Sequence, residues 1–171
     1  MYAEFLVRCI LEGRKYLHGQ QILHRDLKPE NVVVDQRSYC KITDLGLAST
    51  WKQKNYFETS GTPGYMAPEI LLVQNHSYTA DYYSLGILAF ELVTGKRPFR
   101  GNTKKMLRNE VQAKDPQVPE SSWLSTEGRD FINRLIERSA QKRLGCNGIE
   151  EIFSHPWLQM DKKEYAKFQR G

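Results

Sequence analysis

The sequence predicts a mostly helical domain that carries one small β-hairpin, and three observations support this fold class. Of the 171 residues, 40% are apolar and 26% are charged, which is ordinary for a globular domain. Apolar residues recur at helical spacing in several long segments, whereas only two short runs are rich in β-prone residues. No internal repeat or low-complexity linker divides the sequence, so we expect a single domain.

The first half of the sequence begins with a helix and continues into the hairpin. Apolar side chains recur every three or four positions over about 1–18, which predicts an amphipathic helix. Two β-prone runs, 32–34 and 40–43, are separated by polar residues and predict the hairpin. The stretch 44–69 contains glycines and prolines without a sustained period, so we expect it to be irregular.

The second half is predicted to be almost entirely helical. Residues 80–94 are apolar nearly all round, which is typical of a buried helix, and Gly95 follows as a C-terminal stop. Three further helices are predicted, at about 103–113, at about 126–138 with Ser125 as N-cap, and around 149–153.

Composition and charge limit the partners that we expect. The sequence has 25 basic and 20 acidic side chains, a net charge of +5, and part of this excess lies in a basic tail, 161–171, after the domain at 1–160. Solvated helix faces explain so small an excess, so we expect no nucleic-acid partner. We also expect no membrane span, no secretory leader, no disulfide framework and no zinc site. These expectations favour an intracellular, cytoplasmic protein.

One eight-residue segment, 24–31, has the residues that a phosphoryl-transfer loop needs. It reads His-Arg-Asp-Leu-Lys-Pro-Glu-Asn. Asp26 can accept the hydrogen bond and the proton of a substrate hydroxyl, while Lys28 places positive charge beside a transferred phosphate. Asn31 and Asp44 offer the hard oxygen ligands that Mg²⁺ prefers. The alternative is a polar surface loop whose Asp, Lys and Asn residues are unrelated.

Five landmarks in order resemble the C-terminal lobe of eukaryotic protein kinases. The segment 24–31 has the H-R-D-L-x-x-x-N form of the kinase catalytic loop. The resemblance implies a protein-kinase-like C-terminal lobe, a helical bundle with a small hairpin, whose activation segment is 44–69. Leu45 stands where the family usually has phenylalanine. The other four landmarks are Asp44-Leu45-Gly46, Gly61-Thr62-Pro63-Gly64-Tyr65-Met66-Ala67-Pro68-Glu69, Asp81-Tyr82-Tyr83-Ser84-Leu85-Gly86, and Arg143 ahead of His155-Pro156-Trp157.

The resemblance also implies a substrate class and cofactors. Lys28 and the run 61–65 resemble serine/threonine kinases, and the run 142–145 resembles their AGC subfamily. ATP and Mg²⁺ would be the cofactors, and Ser/Thr hydroxyls of proteins the acceptors. Thr62 would bridge Asp26 and Lys28 through its hydroxyl. The residues that the resemblance places on ATP and its metal are Lys28, Asn31, Val33 and Asp44, with Asn31 and Asp44 holding Mg²⁺.

Three further residues would have structural roles by resemblance. Glu69 and Arg143 look like the buried ion pair that ties the end of the activation segment to a late helix. Asp81 looks like the carboxylate that holds the catalytic-loop backbone. Val33 matches the position under the adenine ring, although core packing explains a valine in a β-prone run equally well.

The activation segment has a carboxylate where related kinases often have a phosphorylatable threonine. That position lies three residues before Gly61 and is Glu58 here. A phosphate would carry about −1.5 to −2 charge and dock on Arg25, so Glu58 would be a permanent, weaker substitute. The alternative is an exposed glutamate with no partner. Ser49 occupies the place of a second basic partner, and Thr59 and Ser60 remain candidate phosphorylation sites.

Two glutamates suggest a substrate preference. Glu30 and Glu91 match positions that, in basophilic kinases, pair with an arginine on the N-terminal side of the target hydroxyl. Glu91 is a charge within an otherwise apolar helix, and such a charge needs a reason. An internal ion pair is the equal alternative.

The sequence lacks the glycine-rich loop and the lysine-bearing strand of the N-terminal β-rich kinase lobe. ATP in this fold lies between two lobes, so we expect the missing lobe to be supplied upstream in a longer protein and the chain alone to be inactive. The alternative is a kinase-like module that binds substrates or regulators without catalysis. The intact set of Asp26, Lys28, Asn31 and Asp44 favours the enzyme, because a binding module does not need it.

Overall fold

The fold is a helical bundle with two small pairs of antiparallel strands, seen in a computed structural model that describes residues 2–101 and 103–159. The mostly helical class predicted from the sequence is confirmed. The basic tail predicted at 161–171 lies outside the described residues. In chain order the elements are α1 (Tyr2–Gly19), β1 (Ile22–Leu23), β2 (Val32–Val34), β3 (Cys40–Ile42), β4 (Ser49–Thr50), α2 (Pro68–Leu71), α3 (Tyr78–Thr94), α4 (Lys104–Ala113), α5 (Thr126–Leu135) and α6 (Ile149–Phe153).

Helix α1 packs its apolar stripe against α3 and the strand β3. Phe5, Val7 and Leu11 on this stripe are fully buried. Arg14 is fully buried as well. A buried guanidinium is unfavourable unless it is paired, so α1 brings into the core a charge that must find a carboxylate there.

The predicted hairpin is confirmed, and its register fixes the two ends of the site. Val32 pairs with Ile42 and Val34 pairs with Cys40. In the turn between them, the carboxylate of Asp35 accepts hydrogen bonds from the backbone N–H groups of Arg37 and Tyr39, which closes the turn locally. The hairpin therefore begins directly after 24–31 and ends at Ile42, two residues before Asp44.

Helix α3 is the centre of the bundle, as its nearly uniform apolar sequence predicts. It begins after the N-cap Ser77, whose hydroxyl accepts from the N–H of Thr79, and it ends at Gly95, where φ is +73°. It packs against both α1 and α5. Gly86 allows the close approach to α5, since a Cβ there would collide with Leu135.

The structure corrects one boundary and adds short elements to a stretch predicted to be irregular. The helix predicted over 126–138 ends at Leu135, and Ser125 is its N-cap. It stops early because the carbonyl of Arg134, which the Arg138 N–H would use in a longer helix, accepts from the N–H of Leu144, while the carbonyls of Glu137 and Arg138 accept from Arg143. The stretch predicted to be irregular contains β4, which pairs with β1, and the single turn α2 follows it. None of the described helices is both long enough and apolar enough to cross a bilayer.

Candidate active site

The loop 24–31 is held in place by one buried carboxylate, that of Asp81 on α3. Its two oxygens accept hydrogen bonds from the backbone N–H groups of His24 and Arg25, each at 2.9 Å. The same carboxylate forms an ion pair with Arg14 at 2.6 Å and contacts the imidazole of His18 at 3.0 Å. One side chain therefore joins α1, α3 and the loop backbone.

The charge on Asp81 is stabilised although the residue is only 2% exposed. Burial by itself raises the pKa of a carboxyl group. Here the positive charge of Arg14, with the hydrogen bonds from His18 and the His24 N–H, outweighs burial and holds the pKa of Asp81 far below its usual value. The carboxylate is therefore ionised and acts as a permanent acceptor for the loop.

Asp26 lies at the centre of a hydrogen-bond cluster that joins the loop to the activation segment. One carboxylate oxygen accepts from the backbone N–H of Thr62 at 2.8 Å and from its hydroxyl at 2.7 Å. The other lies 3.0 Å from the ammonium of Lys28 and accepts from the amide of Asn31 at 3.2 Å. Lys28 also donates to the Thr62 hydroxyl. The structure thus brings Asp26, Lys28, Thr62 and Asn31 together.

These contacts set the protonation state of the cluster. Burial raises the pKa of the Asp26 carboxyl, but the hydrogen bonds from Thr62 and Lys28 outweigh burial, so the net pKa lies below its usual value. The hydrogen bond to Asp26 in turn raises the pKa of Lys28. At neutral pH the pair is therefore carboxylate and ammonium, and Asp26 can accept a hydrogen bond from a hydroxyl.

Asn31 and Asp44 lie at the two ends of the hairpin, one just before β2 and the other two residues after β3. The N–H of Thr43 donates to the carbonyl of Asn31 at 2.9 Å, which fixes Asp44 one residue farther along. The Asp44 carboxylate is exposed, and within the described residues it pairs with no cation. The described residues contain no cluster of three or more His, Cys, Asp or Glu side chains suited to a metal. An exposed carboxylate and an amide oxygen fit Mg²⁺, which needs few protein ligands when phosphates supply others.

The loop 24–31 and the segment Asp44-Leu45-Gly46 each contain one residue with a strained backbone. Arg25 has φ +68° and Asp44 has φ +61°, a region that non-glycine residues seldom adopt. Strained residues of this kind cluster at functional sites, where the surrounding structure holds them in place. Gly61 has φ +123° and lies against the carbonyl of Arg25, so a side chain there would separate the loop from the activation segment.

Comparisons with known sequences identify the family of this chain. The model of the protein kinase domain family matches residues 1–158. The chain belongs to the protein kinase family. It is 37% identical over 159 residues to human cGMP-dependent protein kinase 2. The match covers 91% of this chain and 21% of that protein. The cGMP-dependent kinases are AGC members, which agrees with the subfamily that the resemblance implied.

Two further relatives also match most of this chain over a small part of their own length. The probable serine/threonine protein kinase IRE4 of Arabidopsis thaliana is 37% identical over 187 residues, with 92% of this chain and 18% of the relative covered. G protein-coupled receptor kinase 2 of Drosophila melanogaster is 32% identical over 176 residues, with 99% of this chain and 25% of the relative covered. The chain thus spans about a fifth to a quarter of the length of these relatives.

The kinase activation segment is fixed at its end by a buried ion pair. Arg143, fully buried, donates to both carboxylate oxygens of Glu69, at 2.7 Å and 3.0 Å. It also donates to the carbonyl of Thr79 and stacks on the ring of Tyr83. A bidentate pair with every donor engaged is the arrangement in which a buried ion pair is tolerated.

Glu58 is not a free surface glutamate. Its carboxylate lies 2.6 Å from the guanidinium of Arg25, accepts from the hydroxyl of Ser49 at 3.2 Å, and lies 3.5 Å from the ammonium of Lys52. Partial burial raises the pKa of Glu58, but these three partners outweigh burial and lower it overall. The alternative of an exposed glutamate without a partner is therefore wrong. Thr59, next along the chain, is half-buried and its carbonyl accepts from Lys104.

Glu30 and Glu91 differ in their surroundings. Glu30 is exposed, whereas Glu91 is half-buried and accepts a hydrogen bond from the hydroxyl of Tyr65. The internal ion pair considered for Glu91 is absent from the described residues, and the phenol takes its place. Burial and the Glu91 carboxylate together raise the pKa of Tyr65, so the phenol stays neutral and remains a donor.

Val33 lies on the surface beside the loop. It is 45% exposed on β2, so the core-packing alternative for this valine is wrong. Apolar cavities flank the same hairpin, one of about 390 Å³ on the side of Tyr16 and Leu45, and one of about 170 Å³ on the side of Leu92.

Sequence reasoning missed the partners of Asp81. Arg14 and His18 hold this carboxylate, yet neither belongs to a motif. One signal was available, since Arg14 lies in the apolar stripe of α1, four residues after the buried Ile10. A charge in such a stripe must be paired in the core.

We expect Thr62→Val to raise the pKa of Asp26 toward its usual value, because the variant removes the hydroxyl donor and keeps the side-chain shape. Lys28 and the Thr62 N–H remain, so the rise is partial. Because the pKa of Asp26 is lower in the folded than in the unfolded protein, where it is about 3.9, ionised Asp26 adds to the free energy of unfolding above that pH. This contribution is lost as pH falls through the folded pKa. The variant should therefore have less of this acid-sensitive stability. Carboxyl-carbon NMR titration measures the pKa.

The matched control for this titration is Thr50→Val on β4, an exposed threonine away from the cluster. It should leave the pKa of Asp26 unchanged. An Asp26 pKa that is the same in the Thr62→Val variant as in the parent protein would contradict our account of the cluster.

Proposed function

We propose that this kinase chain carries the phosphoryl-transfer side of an ATP-dependent protein serine/threonine kinase. The observation that carries the proposal is the ionised carboxylate of Asp26. It accepts hydrogen bonds from Thr62 and Asn31, and one of its oxygens lies 3.0 Å from the ammonium nitrogen of Lys28. Phosphoryl transfer needs an acceptor for the substrate hydroxyl proton and positive charge beside the moving phosphate. The cluster has both within one loop.

In this mechanism, Asp26 accepts a hydrogen bond from the substrate hydroxyl and aims its oxygen at the γ-phosphorus of ATP. The new oxygen–phosphorus bond forms as the bond to the β–γ bridging oxygen breaks, and the hydroxyl proton passes to Asp26. Lys28 offsets negative charge on the transferred group. Thr62 keeps Asp26 and Lys28 aligned, because its hydroxyl contacts both.

Asn31 and Asp44 would hold Mg²⁺ in this proposal. The ion, when bound, neutralises charge on the phosphates of ATP. The contribution of the chain is to fix the two oxygen ligands through the Thr43–Asn31 hydrogen bond, and no cation of the described residues pairs with the Asp44 carboxylate.

Val33 would lie under the adenine ring, with a second wall above it. Its exposure supports this role, and Tyr16 and Leu45, which line the cavity beside the hairpin, are also exposed, at 70% and 54%. An apolar face of this kind is typical of a surface that another protein surface covers. We infer that an N-terminal lobe, encoded upstream, completes the nucleotide site.

Replacing Asp26 tests the proposed function. In the full-length protein, Asp26→Asn should lower the Mg²⁺-dependent transfer of radiolabelled phosphate from ATP to a serine peptide by at least about 100-fold, the usual contribution of a positioned base. Asp35→Asn in the hairpin turn is the control and should keep the parent activity. Equal activity in Asp26→Asn and the parent would refute the proposal.

The 171-residue chain should show no transfer when assayed by itself, because half of the nucleotide site would be missing. Transfer by this chain that Asp26→Asn abolishes would overturn the two-lobed site while leaving the role of Asp26 intact. Binding of substrate peptides without transfer, even in the full-length protein, would favour the alternative of a binding module.

We further propose that Glu58 replaces an activating phosphate. Its contact with Arg25 joins the activation segment to the residue next to Asp26, and the hydroxyl of Ser49 supports the carboxylate where a second cation would stand. A carboxylate carries less charge than a phosphate, so the substitute is weaker but permanent. Thr59 and Ser60 remain candidate phosphorylation sites beside it.

In the full-length protein, Glu58→Gln should lower activity by about ten-fold, since a hydrogen bond to a charged group contributes about 1.5 kcal/mol. Activity on a serine peptide measures the effect, with exposed Glu120→Gln as the matched control. Unchanged activity after Glu58→Gln would mean that Glu58 has no activating role.

We propose that Glu30 and Glu91 favour an arginine on the N-terminal side of the target hydroxyl. Support comes from the exposed carboxylate of Glu30 and from the absence, within the described residues, of an ion pair at Glu91. Charge reversal at both positions, Glu30→Lys with Glu91→Lys, should weaken the preference for arginine-containing over alanine-containing peptides by about ten-fold in kcat/KM. A preference that survives both changes would exclude these glutamates as the basis of specificity.

A further inference from the structure

Arg97, in the segment after α3, is an exposed cation held in a defined place. Its guanidinium lies 5.7 Å from the centre of the Tyr65 ring, a cation–π contact. It also fills the space over Gly64 where a Cβ would lie. Gly64 has no side chain, and this leaves the space that the guanidinium of Arg97 occupies. We call this space, bounded by Gly64 on one side and the ring of Tyr65 on the other, the seat of Arg97.

No carboxylate in the described part of the chain forms a salt bridge with Arg97. Glu91, the acidic side chain bound to Tyr65, accepts a hydrogen bond from the phenol instead. The stacking on Tyr65 orients the guanidinium without using its N–H donors on an anion. Arg97 is thus a positioned cation with donors available to a ligand, and a planar guanidinium matches a carboxylate in a two-point contact.

The seat of Arg97 lies near the proposed position of the substrate hydroxyl. Thr62 contacts Asp26 through both its N–H and its hydroxyl, and Gly64 is two residues farther along in a turn of 3-10 helix. Two steps of the backbone span at most about 7.6 Å, and an extended peptide advances about 3.3 Å per residue. A side chain within about three residues of a hydroxyl at Asp26 can therefore reach Arg97.

We propose that Arg97 is an anion-binding subsite that selects a glutamate or aspartate close to the target serine or threonine. The inference rests on the proposed function and adds an acidic requirement to it. A carboxylate is the expected ligand because one guanidinium balances one negative charge, whereas a phosphate group carries nearly two. With Glu30 and Glu91 nearby, the preferred substrate would carry both an arginine and an acidic side chain around the hydroxyl.

Peptide binding to the 171-residue chain tests the subsite without requiring catalysis. The probes are serine peptides in pairs that differ only by glutamate or glutamine, placed at each position from three before to three after the serine. NMR titration at low salt gives the dissociation constants, and the amide signals of Gly64 and Tyr65 report binding at the proposed place. Exposed ion pairs are weak, so we expect glutamate to be preferred by about two- to five-fold at one or more positions.

Two variants test the role of Arg97 in different ways. Arg97→Gln removes the charge and should abolish the preference for glutamate. Gly64→Ala keeps the charge but places a Cβ where the guanidinium lies, so it should displace Arg97 and reduce the preference while disturbing only the flexible end of that side chain. The matched control is Arg37→Gln in the hairpin turn, an exposed arginine whose loss lowers the net charge equally; it should retain the preference.

The subsite is refuted if glutamate and glutamine peptides bind the parent chain equally, if neither binds, or if the preference persists in Arg97→Gln. Loss of the preference in Arg37→Gln would also overturn it, because net charge would then explain the effect. These outcomes are separate from the proposed function, which fails only when Asp26→Asn leaves phosphate transfer unchanged.

Discussion

The carboxylate of Asp81 is the constraint on which the rest of the site depends. It is buried in the first turn of α3, and it is charged because Arg14 and His18 from α1 reach it there. It accepts hydrogen bonds from the backbone N–H groups of His24 and Arg25. The helix bundle therefore holds the backbone of the loop directly, and the strained conformation of Arg25 is maintained by the core.

From this loop, electrostatic contacts extend into the activation segment at two points. Asp26 binds the N–H and hydroxyl of Thr62, and the guanidinium of Arg25 binds Glu58. The two residues are neighbours in the loop; Asp26 accepts from neutral donors of Thr62, whereas Arg25 pairs with a carboxylate. The order of the activation segment and the alignment of Asp26 are thus parts of one network, which is completed at the far end of the segment by the pair of Glu69 and Arg143.

Local sequence patterns predicted most of the helices and the hairpin, because periodicity and capping are properties of neighbouring residues. The motif residues Asp26, Lys28, Asn31 and Asp44 could likewise be found from their order alone. The early end of α5 could not, since it involves Arg143, whose guanidinium is held in place by Glu69 from a distant part of the sequence. The pairing of β1 with β4 and the identity of the carboxylate that pairs with Arg14 were also inaccessible, because each depends on residues far apart in sequence. The seat of Arg97 on Gly64 is of the same kind.

The hairpin between Asn31 and Asp44 also determines where this part of the chain can tolerate insertions and deletions. Because Val32 pairs with Ile42, the strands act as a spacer of fixed length between the two oxygen ligands. A residue inserted into either strand would turn every following side chain to the opposite face and move one ligand away from the other. A residue inserted into the turn after Asp35 would leave the paired ends where they are. Insertions and deletions in this region are therefore confined by geometry to the tip of the hairpin.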